Sequence, residues 1–356
     1  MKAFTYDALP GRVRFGIGAV GEVPDELAAL GGRRVLVITD PQVKSLGDHL
    51  AAAIGDRLAG RFDEVRQHVP EELAARAVAV ARDVAADSLL TVGGGSATGL
   101  GKAVALETGV PILAVPTTYA GSEMTPIYGI TGERKRTGRD LRVLPKVVVY
   151  DPALTVGLPP EVTGPSGFNA LAHCVEALYA PGTSPVIALL AEEGIRALGR
   201  SLPPAVGEPE NLDARSDVLY GAYLAGAALA VAGTALHHKL CHVLGGSFGL
   251  VHADVNAVIL PHAAAYNAPA VPEAFARVAA ALGGPADAGV AGALLYDLAG
   301  TIGAPTSLAA IGMPAAGLAT AAEQGAQQAG TGNPRPVDLE SLRRLLDDAY
   351  AGRRPA

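Results

Sequence analysis

The residues best suited to chemistry are histidines at helical spacing. Five of the eight histidines crowd into one stretch: His237, His238, His242, His252 and His262. His238 and His242 stand four apart, so on a helix they share one face. His252 follows ten residues later, after the glycine-rich stretch Gly245-Gly246-Ser247-Phe248-Gly249, which reads as a turn. Upstream, Asn169 and His173 are also four apart, on a helix expected to begin after Gly167. Three imidazoles and one further donor make the ligand set of a tetrahedral metal site. Here the fourth donor is a neutral amide, which leaves a divalent cation short of anionic compensation. The expectation is a functional imidazole cluster in which no metal is required. Lys239, next to His238, is a candidate cation for an acidic substrate and equally reads as an exposed helical lysine.

A second group suits an anionic ligand. Gly93-Gly94-Gly95-Ser96 follows an apolar run and precedes a helical stretch containing Lys102. Glycines let backbone N–H groups approach a phosphate, and a helix N-terminus adds partial positive charge. The spacing is not G-x-G-x-x-G, so the dinucleotide fingerprint is absent. A companion loop, Pro116 to Pro126, carries Thr117, Thr118, Tyr119, Ser122 and Thr125, whose hydroxyls suit ribose or pyrophosphate oxygens or the caps of turns. Asp40 closes another apolar run, where a carboxylate can accept bonds from an adenosine ribose and disfavour a 2′-phosphate, or simply cap the turn at Pro41.

These groups must be positioned by regular elements. Residues 34–40, 88–92, 111–116 and 147–152 read as buried parallel strands, with a helix from about Ser45 to Leu58. Strands alternating with helices predict an α/β domain with a parallel sheet and a Rossmann-like nucleotide site over residues 1–153. Beyond it, Ala, Leu and Gly dominate, and Ile187, Leu190, Ile195 and Leu198 repeat at helical intervals. An all-helical catalytic domain is expected over 154–356, punctuated at sites such as Ser201-Leu202-Pro203-Pro204.

Composition narrows the function classes. With 49% hydrophobic and 18% charged residues, the 356-residue chain is globular rather than disordered. The net charge of −7 argues against nucleic acid as a partner, and the densest basic run (Arg134, Lys135, Arg136, Arg139) reads as a solvated loop. Two cysteines, Cys174 and Cys241, fit a reducing compartment. The N-terminus lacks a signal-like apolar region and no apolar run is long enough for a bilayer, so no membrane association and a cytoplasmic location are expected.

Taken together, the GGGS turn, the Thr117-Thr118-x-x-Gly121-Ser122-Glu123 loop, the Asn169/His173 pair and His238-x-x-x-His242 with a later His252 occur in one order. The chain resembles the iron-type (group III) alcohol dehydrogenases from about Phe15 to Asn333-Pro334-Arg335-Pro336. Within that superfamily its details are similar to the maleylacetate reductases: Gly95 to Lys102, Thr117 to Pro126, Asn169 to Tyr179, and above all His237 to Gly246. The resemblance implies the dehydroquinate synthase-like, iron-type alcohol dehydrogenase fold and a homodimer. It places His173, His238 and His252, with Asn169, at former metal-ligand positions, and His242 near the nicotinamide. Metal-dependent relatives carry aspartate at the positions of Asn169 and Gly99.

The implied reaction is NADH- or NADPH-dependent reduction of 2-maleylacetate, a small dicarboxylate, to 3-oxoadipate during breakdown of aromatic compounds. Without a Lewis acid, enolate charge needs donors, for which Asn169, His173, His238, Lys239, His242 and His252 are the candidates. Three alternatives stand beside it: a metal-dependent alcohol dehydrogenase of the same superfamily, a biosynthetic enzyme performing a non-redox cyclisation on this scaffold, and a non-catalytic nucleotide sensor.

Overall fold

The computed structural model describes residues 4–133, 135–329 and 332–356, and these fall into two compact units. One spans Ala8–Gly157; the other spans Leu158–Ala356 and takes in the N-terminal segment up to Asp7. The division lies four residues beyond the 153/154 boundary expected from sequence. The reason is local. Asp151 accepts hydrogen bonds from Ala153 N and Val20 N, fastening the turn Pro152–Thr155 to the sheet.

The first unit holds β1 (Arg12–Phe15), α1 (Val23–Ala29), β2 (Val35–Thr39), α2 (Lys44–Ala53), β3 (Leu58–Phe62), α3 (Glu71–Asp83), β4 (Ser88–Gly93), α4 (Gly95–Thr108) and β5 (Ile112–Pro116), then β6 (Ile127–Thr131), β7 (Lys135–Arg139) and β8 (Val147–Tyr150). Six strands form a parallel sheet in the order β1-β8-β5-β4-β2-β3. Every residue of β2, β4, β5 and β8 is buried, as strands covered on both faces require. One face packs Leu36, Ile38 and Leu89 against Leu73, Leu100 and Val104 of α3 and α4. The other packs Val35, Val37 and Leu90 against Val23, Leu27 and Leu50 of α1 and α2. Strand order reverses between β2 and β4, so their carboxyl ends, at Asp40 and Gly93, flank the topological switch point.

Sequence reading overlooked β1 and β3. Both are edge strands carrying arginines (Arg12, Arg14, Arg61), and neither has the apolar run that marks the buried four. The expected helix to Leu58 therefore stops at Ala53, and Leu58 opens β3. The basic run also differs from its expected loop. Lys135–Arg139 forms β7, antiparallel to β6, while Arg134 lies outside the described residues.

The second unit is helical among its described residues: α5 (Pro160–Ala177), α6 (Pro185–Gly207), α7 (Leu212–Ala232), α8 (Leu236–Phe248), α9 (His252–Asn267), α10 (Pro272–Ala281), α11 (Ala291–Thr301), α12 (Leu318–Ala329) and α13 (Leu339–Ala351). Leu240, Leu244, Val255, Ile259, Leu342 and Leu346 from α8, α9 and α13 share one core. Pro203 and Pro204 do not punctuate α6. They lie in its closing turns, and the helix runs on to Gly207 although each proline removes one N–H from the ladder. Likewise α5 starts at Pro160 rather than after Gly167, and Gly245 to Phe248 complete α8 instead of forming a turn. Only Gly249, left-handed at φ 68°, breaks the helix. Among the described residues no single helix is long and apolar enough to cross a membrane; α7 and α8 together qualify by composition but bend by 98°.

Candidate active site

In the sheet unit, the turn from β4 to α4 is shaped for close approach. Gly93 has φ 140°, and a Cβ there would lie 2.5 Å from Asp40 Cβ. Added Cβ atoms on Gly94 and Gly95 would meet Thr118 and Ala120 at 3.1 Å. No side chain caps α4 at Gly94, so its first-turn N–H groups remain for an anion. The companion loop is laced to this turn, with Thr117 N donating to Gly93 O at 3.0 Å. Asp40, Gly93, Gly94, Gly95, Ser96, Thr117 and Thr118 therefore collect at the carboxyl ends of β2, β4 and β5. Asp40 also caps its own turn, accepting from Gln42 N at 3.1 Å. These residues fit a dinucleotide: the glycines let the turn pack closely on Asp40 and the companion loop, and the uncapped N–H groups at the start of α4 are available to an anion.

Three residues expected on the cofactor have other surroundings. Tyr119 is wholly buried. Ser122 and Thr125 serve Lys102, a residue of α4 that sequence reading left without a role. The Lys102 ammonium is fully buried and lies within hydrogen-bond reach of Ser122 O (2.6 Å), Ile127 O (2.8 Å), Thr125 Oγ1 (3.0 Å) and Ser122 Oγ (3.2 Å). Beside it, buried Glu123 accepts from the Tyr150 hydroxyl at 2.7 Å. Burial lowers Lys102 to about 7 and raises Glu123. These acceptors compensate a buried cation that would otherwise be costly, and they clamp the loop over residues 122–127. No periodicity marks such a lysine, because α4 is apolar nearly all round.

In the helical unit, the i, i+4 pairs lie on helices as expected. The rings of His173 (α5) and His238 (α8) stack at 4.4 Å, and those of His242 and His252 at 5.9 Å. His237 meets His238 edge-on at 4.7 Å. Asn169 contacts its partner directly, its Nδ2 lying 3.3 Å from His173 Nε2; with the amide as donor, the proton of a neutral His173 is assigned to Nδ1. Lys239 directs its ammonium toward Gly332. His262 stands apart, on the later part of α9 beside Asp348 and Arg353.

Glu176, one turn beyond His173 on α5, organises the cluster and was not recognised from sequence. Its Oε2 accepts from Ala235 N (2.9 Å), at the start of α8, and pairs with His238 Nδ1 (2.7 Å). Both side chains are buried, which raises Glu176 and lowers His238. Burial lowers His173 strongly as well, and the neighbouring imidazoles add to the effect. With two protons in the Glu176–His238 pair, Nε2 of His238 is an N–H; with one, held on Nδ1, Nε2 is a bare acceptor. Asn169 Oδ1, His173 Nδ1 and His238 Nε2 are buried without hydrogen-bond partners. Orphaned groups of this kind cost stability and mark a place reserved for a polar ligand.

A divalent cation fits these residues poorly. Asn169 brings no charge, and its amide occupies the His173 Nε2 lone pair. Among the described residues no group of three His, Cys, Asp or Glu side chains is arranged to hold a metal. At Gly99 a Cβ would come within 2.9 Å of the Val69 Cγ2 methyl, so a larger residue there requires that side chain to shift.

Comparison with known proteins adds the family context. Residues 10–152 match the family model of iron-containing alcohol dehydrogenases, and residues 163–350 match the C-terminal model of the same family. Maleylacetate reductase of Burkholderia cepacia is 50% identical over 357 residues, covering all of both chains. Maleylacetate reductase of Sphingobium indicum is 50% identical over 99% of each. The crystal structure of maleylacetate reductase from Agrobacterium tumefaciens superposes with a TM-score of 0.96 at 45% identity, with full coverage of both chains.

Proposed function

The chain belongs to the iron-containing alcohol dehydrogenase family, and from that premise we propose that it reduces the carbon–carbon double bond of 2-maleylacetate to give 3-oxoadipate, using NADH or NADPH. It is an oxidoreductase. The observation that carries the substrate is end-to-end likeness, at half identity, to reductases of that compound. The cofactor, when bound, supplies a hydride to the carbon conjugate to the ketone.

The residues of this chain have three tasks. Asp40, Gly93 to Ser96, Thr117 and Thr118 would hold the dinucleotide, the glycine turn taking the pyrophosphate and Asp40 the adenosine ribose. The buried imidazoles meet the charge that develops on the ketone oxygen. The proton is assigned to Nδ1 of His173 and to Nε2 of His238, two buried nitrogens without a hydrogen-bond partner, and an oxyanion accepting from both gains most where water is excluded. The third task is proton delivery to the carbon next to the carbonyl. His242 and His252, less buried than His238 and stacked on each other, are assigned to it. Lys239 is left for substrate carboxylate recognition.

No metal is assigned a part in this scheme. Support comes from the neutral Asn169 and its bond to His173, which suit an anionic substrate better than a cation. The protein is proposed to work in the cytoplasm as a homodimer in the catabolism of aromatic compounds. The deciding experiment is NADH and NADPH oxidation with maleylacetate, run with and without a chelator. Turnover that survives chelation and yields 3-oxoadipate is expected; loss of turnover with chelator removes the metal-free scheme, and no turnover under either condition removes the substrate.

A further inference from the structure

His237 and Asn256 take no part in the scheme above, yet both are wholly buried and joined across two helices. His237 Nε2 lies 2.8 Å from Asn256 Oδ1, while Asn256 Nδ2 donates to the backbone oxygen of His252 at 2.7 Å. The second bond fixes the first. Because Nδ2 must face a carbonyl, Oδ1 must accept, and His237 therefore carries its proton on Nε2. Burial holds His237 neutral, at about 3.

The tie matters because of where it falls. His252 is the first residue of α9, whose cap residue Val251 makes no side-chain hydrogen bond and is itself exposed. The first turn of a helix has no internal partners for its N–H groups and frays readily. Asn256, one turn in, grips the carbonyl of His252 from the α9 side and His237 from the α8 side. On α8, His237 adjoins His238, whose other edge is held by Glu176. One continuous set of bonds thus runs from Glu176 to the opening turn of α9.

From this geometry we infer that the His237–Asn256 bond is a positioning device that holds His252 in register with His238 for the reaction. Neither residue touches the reacting atoms. The inference rests on the proposed imidazole chemistry, and its test separates the two. A double-mutant cycle couples Asn256→Leu to His252→Ala, with kcat and KM for maleylacetate and NADH measured in each variant.

The expected result is a fall in kcat of roughly tenfold for Asn256→Leu, with KM for NADH little changed. In the His252→Ala background the same substitution should have no further effect. His237→Gln, which keeps a donor near the Nε2 position, should retain kcat within about twofold, whereas His237→Leu should match Asn256→Leu. Equal losses in both backgrounds would overturn the inference. A second readout needs no substrate: nitrogen-edited NMR of the ring resonances should show Nε2–H at His237 and a displaced His252 signal in Asn256→Leu. An unmoved His252 signal overturns the positioning role even if the wild-type chain reduces maleylacetate; a displaced signal supports it even if the wild type does not. Should Asn256→Leu fail to fold, the His237→Leu and His237→Gln pair gives the same comparison.

Discussion

His173 and His238 lie face to face, their ring centroids 4.4 Å apart and their planes within 14°. Two imidazoles in such contact, both buried, repel each other if both are charged, so the pair tolerates at most one positive charge. Burial holds both rings neutral, and the neutral Asn169 beside them adds no negative charge to attract a cation. Restoring a carboxylate there should supply that attraction. Asn169→Asp is expected to raise zinc affinity at least tenfold, as read by isothermal titration. Unchanged affinity would mean that the amide is not what disfavours the metal.

Glu176 is expected to control the donor capacity of His238. Glu176→Gln retains the shape but cannot exchange a proton with Nδ1, and kcat should fall by about 10- to 100-fold in single-turnover NADH oxidation. Glu176→Ala should in addition lose the bond to Ala235 N at the start of α8, costing about 1 kcal/mol in denaturant unfolding.

The glycine turn predicts a binding defect without a chemical one. Gly94→Val places a branched side chain where even a Cβ lies 3.1 Å from Thr118. KM for NADH should rise about tenfold or more while kcat at saturation changes little. A pure kcat effect would mean that this turn does not carry the cofactor.

Acid lability should arise in part from His262. It is buried, and desolvation lowers it to about 4 from the ordinary 6.5. Between those values the unfolded chain binds a proton that the folded chain refuses, so stability rises with pH across this window and is lost as pH falls from above 6.5 toward 4. His262→Gln should flatten the dependence of unfolding free energy on pH by close to one proton near pH 5. An identical slope in the variant would rule out this residue as the source.

Lys102→Met should destabilise the sheet unit and loosen the loop together. Its acceptors lose their donor, and a penalty of about 1–3 kcal/mol is expected in chemical unfolding. The cofactor should bind more weakly in the same variant, measured by quenching or enhancement of NADH fluorescence.

Much of the site was legible because its residues obey local rules. Buried parallel strands announce themselves as apolar runs, and β2, β4, β5 and β8 appear within a few residues of their expected limits. Histidines four apart share a helix face whatever surrounds them. What escaped was set by contacts between distant segments. Edge strands β1 and β3 are held by pairing rather than by apolar content. Lys102 finds its acceptors 20 to 25 residues away, and Glu176 finds His238 at 62. Neither partnership leaves a period or a motif in the chain. Gly245 and Gly246 misled for the opposite reason: glycine usually breaks a helix, but here α8 continues through both and stops only at Gly249.

The grip of Lys102 has an evolutionary side. Two of its partners are main-chain oxygens, which every amino acid supplies. Residues at 122 and 127 can therefore be exchanged without dissolving that anchorage, and the path of the polypeptide stays fixed while they change.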